Sequence, residues 1–121
     1  MDVHFILALF HIFLIVPFLG YIFINRAATP DYMYNTLFFI GIFVLLYHIY
    51  KSLVKFSVKS PSLWINVFHV VLVAPLLIYV GYNEKKTPRA AYELLGLLTF
   101  SALGYHLYNL ILLSQVVDVD D

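Results

Sequence analysis

HIFLIVPFLGYIFIN, residues 11–25, returns as HVVLVAPLLIYVGYN, residues 69–83. A shift of 58 positions, the step from His11 to His69, also lays Pro17 on Pro75, Tyr21 on Tyr79 and Asn25 on Asn83. Beyond these stretches it lays Thr29-Pro30 on Thr87-Pro88, Tyr34 on Tyr92 and Leu37 on Leu95. It lays Tyr47-His48-x-Tyr50 on Tyr105-His106-x-Tyr108 as well, and no gap is needed. The chain reads as a tandem duplication within a single domain, 1–121, with repeat 1 at about 3–57 and repeat 2 at about 61–115. Each copy sets two histidines among apolar residues.

The solvent for such a chain is lipid. Hydrophobic residues make up 63% of the 121 and charged residues 12%, with a mean hydropathy of +0.91. A soluble domain carries roughly a quarter charged residues, and a chain this short cannot hide so much apolar surface in one aqueous core. Apolar stretches at about 3–25, 33–56, 61–82 and 90–115 each match the ~20 residues that span hydrocarbon as a helix. The pattern predicts an all-α membrane protein, a multi-pass four-transmembrane-helix bundle whose first partner is the lipid bilayer. Two crossings per copy make the repeats parallel, related by a pseudo-twofold axis about the membrane normal, with both termini and the central loop on one face. Lys51, Lys55 and Lys59 on that face oppose Arg26, Lys85, Lys86 and Arg89, too even a split for basic residues to set orientation. The first stretch lacks the basic start of a signal peptide and duplicates the third, so it is read as a mature helix.

Punctuation agrees with four helices. Thr29-Pro30, Thr87-Pro88 and Ser60-Pro61 place a capping hydroxyl before a proline at the first helical position. Short connections make consecutive helices antiparallel neighbours. Pro17 and Pro75 fall in mid-span, where each removes a donor from the carbonyl four residues earlier, Phe13 or Val71, and predicts a kink.

Helical spacing then assigns faces. From His11 it runs through Leu14, Phe18, Tyr21 and Asn25, and from His69 through Leu72, Leu76, Tyr79 and Asn83. The other two faces are Tyr34, Leu37, Gly41, Val44, His48 and Tyr92, Leu95, Thr99, Ala102, His106. Ionisable groups facing hydrocarbon are costly, so these faces turn inward. His11 lies 19 positions before Pro30 and His48 lies 18 after it, and the second copy repeats the count. All four histidines therefore sit at one level, roughly 10–13 Å inside the terminal face at ~1.5 Å per residue. Tyr21, Tyr34, Tyr79 and Tyr92 form a second polar layer toward the opposite face, with Gly41, Thr99 and Ala102 between.

Composition excludes much. Net charge is +0, with no basic cluster of the kind nucleic acid requires. Without cysteine there is no disulfide, iron–sulfur cluster, thiolate zinc site or covalent c-type haem. No Asp or Glu is expected inside a span, which excludes a carboxylate-bridged di-iron centre. Ser52 and Ser101 are read as off the histidine face, so no nucleophile–base pair supports hydrolysis.

Four inward imidazoles remain as candidate ligands. The leading expectation is b-type haem for electron transfer, held by the diagonal pair His11 with His69 or His48 with His106. This resembles the bis-His ligation of membrane b-type cytochromes. Tyr47 and Tyr105, with Tyr50, Tyr108 and Lys51, would then meet the haem edge and propionates. A second reading binds one transition metal ion, zinc or copper, through His11, His48, His69 and His106 together. A third is proton or small-solute transport. In size and weak charge bias the chain is similar to small four-helix multidrug exporters, although it lacks their Glu in the first helix. The last reading is a scaffold or accessory subunit, in which His and Tyr fix packing by hydrogen bonds across helices. Phe and Tyr on the outer faces offer surface for a homo-oligomer. His4 has no counterpart and reads as interfacial, and the tail Asp118–Asp121 reads as solvated.

Overall fold

A computed structural model describes the backbone of residues 3–120 and the side chains of residues 3–112, so the side chains of the acidic tail fall outside the described residues. The described chain is helical between its turns and connections. Four segments are long and apolar enough to cross a membrane: α1 (Val3–Ala28), α2 (Asp31–Ser57), α3 (Leu63–Lys86) and α4 (Arg89–Asp120, its span Arg89–Leu112). Their lengths of 24 to 27 residues are compatible with a multi-pass integral membrane protein. Glu93 corrects one expectation, since this acidic residue lies within the fourth span, about one turn from its start.

The two mid-span prolines reshape α1 and α3 in the same way. Each helix opens into a π turn that begins at the histidine, His11–Ile15 and His69–Val73. The Val16 amide donates to the His11 carbonyl and the Ala74 amide to the His69 carbonyl, five residues back instead of four. Pro17 and Pro75 cannot donate to Phe13 and Val71, and their rings crowd those carbonyls. Widening the turn just before the proline relieves that conflict.

A π turn holds one extra residue, so everything after it slips by one position. Leu19 and Ile22 on α1, and Val73, Leu77 and Val80 on α3, are buried. The inward faces counted through Leu14 and Tyr21, and through Leu72 and Tyr79, are therefore corrected. Those four are 60%, 45%, 43% and 46% exposed, although Leu76 stays buried. In α2 and α4, which carry no internal proline, the counted face holds: Tyr34, Leu37, Gly41, Tyr92, Leu95 and Thr99 are buried. The second polar layer is corrected in the same way, with Tyr34 and Tyr92 inside and Tyr21 and Tyr79 outside.

The connections use the repeat's residues differently from the capping expectation. Pro30 itself occupies the cap position of α2, with no side-chain hydrogen bond. Thr87 turns back, its hydroxyl donating to the Glu84 carbonyl at 2.7 Å, and so closes α3 rather than opening α4. Thr29 is fully buried. Arg26 and Glu84, matched by the 58-position shift, both take a left-handed backbone, φ 47° and 52°. α2 ends in a Schellman turn on Lys59 (φ 55°), with Ser60 N–H on the Lys55 carbonyl at 2.9 Å and Lys59 N–H on that of Phe56 at 3.2 Å. Ser62, not Ser60, precedes α3, and the Ser60 hydroxyl instead accepts from the Ser62 amide at 3.3 Å.

Contacts group the chain into two compact units, one from α1 and α4 (up to Ile24, and from Glu93) and one spanning Asn25–Tyr92, which holds α2 and α3. Each unit is an antiparallel helix pair. In the second, a Cβ added to Gly81 would lie 2.6 Å from the Phe38 amide nitrogen, and one on Gly41 would lie 2.8 Å from Ile78 Cγ1. Only glycine permits so close an approach, and without a hydrophobic drive between helices in lipid, that packing supplies the association. In the first unit the ring of Phe23 fills the space over Gly96. Phe23 is the counterpart of Gly81, and Gly96 that of Phe38. Under the 58-position shift glycine and phenylalanine exchange places, with Gly81 against Phe38 backbone and Gly96 against the Phe23 ring.

Candidate functional site: two stacked histidine pairs

Within the first unit the rings of His11 and His106 stack at 4.3 Å between centroids, 18° from parallel. Within the second, His48 and His69 stack at 4.2 Å and 12°. The two arrangements correspond residue for residue under the 58-position shift. Each stack is bracketed by its chain neighbours edge-on. Phe10 meets His11 at 5.6 Å and 88°, and Tyr105 meets His106 at 5.2 Å and 84°. Phe68 meets His69 at 6.0 Å and 85°, and Tyr47 meets His48 at 5.1 Å and 90°. Edge-on rings pack their positive rims against the π faces, a geometry worth ~0.5–1.5 kcal/mol per pair.

Two of the four rings have their protonation pattern set by the backbone. His11 Nδ1 lies 2.7 Å from the Leu7 carbonyl and His69 Nδ1 lies 2.7 Å from that of Ile65. A carbonyl can only accept, so each Nδ1 carries the proton, and in the neutral ring Nε2 carries the lone pair. The bond also fixes the ring on its helix, just ahead of the π turn.

His48 is set the other way. Asn66 Nδ2 donates to His48 Nδ1 at 2.7 Å, so in the neutral ring Nε2 carries the proton. Asn66 is 4% exposed, and its Oδ1 has no hydrogen-bond partner. The 58-position correspondence does not mark this residue, because its counterpart is Ala8. The available signal was its spacing, three residues before His69 on one helix face. Ser52 is a correction of the same kind. It lies four residues after His48, on that residue's face, and its Oγ is buried.

Tyr47 and Tyr105 are 44% and 42% exposed, beside the stacks. Tyr50 and Tyr108 are 63% and 62% exposed, and His4 is also exposed. Among the described residues, no group of three or more His, Asp or Glu side chains is placed to hold a metal ion. Comparison with known protein families, with curated proteins and with solved structures gives no match.

Proposed function

We propose that this chain is a multi-pass integral membrane protein whose working elements are its two imidazole stacks, and that these bind and release protons within the membrane as parts of a small proton transporter. Both copies of the duplicated two-helix unit cross in the same direction, so that the termini and the 58–62 connection share one face. The observation that carries the reading is the face-to-face contact of two imidazoles at 4.2–4.3 Å in each helix pair. Imidazole is the side chain that changes charge near neutral pH. At such contact two cationic rings repel, so charge on one ring of a stack is felt by the other. Apolar residues such as Leu37, Leu77 and Val73 lie between the histidines and the Tyr34–Tyr92 contact, and they supply the barrier that a transporter must open. Support for the duplication comes from the repeated π turns, ring clusters and left-handed residues. Reconstitution into liposomes holding a pH-sensitive dye tests the transport.

One observation favours a second reading, b-type haem for electron transfer. Nδ1–H of His11 and of His69 is held by a backbone carbonyl, and that outer bond orients a ligating imidazole and raises the basicity of its Nε2. The face contact within each stack leaves no room for a porphyrin between His11 and His106 or between His48 and His69. His11 and His69, one in each helix pair, are the imidazoles whose Nε2 this bond prepares for ligation. The visible spectrum of protein purified from a haem-replete host tests this reading, and a reduced low-spin spectrum lost in His11→Ala and His69→Ala supports it.

A further inference from the structure

The two helix pairs differ at one end, and the difference concerns access. In the α2–α3 pair, Asn66 Oδ1 and Ser52 Oγ are both buried without a hydrogen-bond partner. The pair runs antiparallel with His48 against His69. Ser52, four residues beyond His48, and Asn66, three before His69, therefore stand at matching heights. Both lie about one turn from the stack, on the side of the 58–62 connection, and Asn66 Nδ2 already meets His48 Nδ1. Buried oxygens left unpaired in a native fold are commonly satisfied by ordered water, which needs two or more polar partners. The counterparts of Ser52 and Asn66 in the α1–α4 pair are Leu110 and Ala8, and Ala8 is 1% exposed. That end is apolar.

We propose that Ser52 and Asn66 hold water inside the α2–α3 pair, and that this water exchanges protons between the His48–His69 stack and the face bearing the 58–62 connection. The His11–His106 stack lacks both of these oxygens, its counterpart residues being Leu110 and Ala8. Asn66 is a positioning residue here: its amide orients His48 while its oxygen holds the water. The inference deepens the proton-handling reading and rests on it for its purpose. No net chemistry is involved, since the proton an imidazole nitrogen gives to water is replaced by one from water.

The test uses full-length protein, labelled with nitrogen-15 on histidine, in lipid nanodiscs, and NMR exchange between imidazole N–H and bulk water. His48 and His69 are expected to exchange at least about tenfold faster than His11 and His106. Asn66→Leu combined with Ser52→Ala is expected to slow them to the rate of the other stack. Equal rates in the unmodified protein, or slower exchange at His48 and His69, overturn the proposal, and that comparison needs no variant to fold. Unchanged fast exchange in a folded double variant also overturns it. Absence of proton flux with the exchange difference intact overturns the transport reading alone, whereas flux with equal exchange rates overturns the water site alone.

Discussion

Tyr34 and Tyr92, 58 positions apart, meet hydroxyl to hydroxyl at 2.7 Å inside the Asn25–Tyr92 unit. Tyr34 also reaches the Arg26 carbonyl at 2.6 Å, and Tyr92 reaches the Glu84 carbonyl at 3.1 Å. Two hydroxyl protons thus face three contacts. The assignment that uses the shortest distances has Tyr92 donating to Tyr34 and Tyr34 donating to Arg26, and it leaves the longest contact without a proton.

Tyr34→Phe removes both bonds of that chain, while the Arg26 carbonyl keeps the Thr29 amide as donor at 3.0 Å, whereas Tyr92→Phe removes only its end. Each hydrogen bond lost contributes about 1 kcal/mol, and two are lost with Tyr34 but one with Tyr92. Thermal unfolding in mild detergent should therefore place Tyr34→Phe below Tyr92→Phe, with both below the parent. The reverse order would assign the shared proton the other way.

Glycine substitutions separate close packing from helix propensity. A Cβ on Gly81 meets Phe38 backbone, while one on Gly104 meets nothing within 4 Å. Gly81→Ala should destabilise by about 1–3 kcal/mol, because two backbones must move apart. Gly104→Ala should stabilise by up to about 1 kcal/mol. Equal effects measured by thermal unfolding would contradict the close crossing of α2 and α3.

Removing a mid-span proline should close its π turn. In Pro17→Ala, residue 17 regains an amide that can bond the Phe13 carbonyl, and the register after His11 returns to α spacing. A nitroxide at Leu14, 60% exposed in the parent, should then lose accessibility to lipid-soluble oxygen in EPR measurements, and the one at Ile15 should gain it. No exchange between the two positions would mean that the π turn does not depend on the proline.

The four helices were legible in the sequence because hydropathy is a property of residues in order. Faces were legible on α2 and α4, where α spacing is undisturbed from Tyr34 to His48 and from Tyr92 to His106. On α1 and α3 the count failed beyond His11 and His69. A proline announces a disturbance, but a kink and a one-residue slip look alike in one dimension. The histidines were visible as a set. Their pairing by stacking was not, because it depends on how helices meet. Asn66 stayed hidden for a different reason: what distinguishes the copies is lost when they are read for what they share.

The carbonyl contacts make a prediction about tautomers. Nitrogen-15 shifts of the neutral rings should report Nδ1–H for His11 and His69 and Nε2–H for His48. In Asn66→Ala, His48 should lose that preference while His11 keeps its own. A common Nδ1–H tautomer would contradict the Asn66–His48 assignment, and a common Nε2–H tautomer would contradict both carbonyl contacts.

The central claim, that the imidazole stacks carry protons across the membrane, is tested most directly by flux. Liposomes containing the purified protein and an internal pH dye are given a potassium diffusion potential. Acidification should exceed that of protein-free vesicles and fall to their level when His48→Gln and His69→Gln are combined, while the variant still unfolds cooperatively. Flux no greater than in protein-free vesicles, or flux undiminished by the double substitution, would contradict the account.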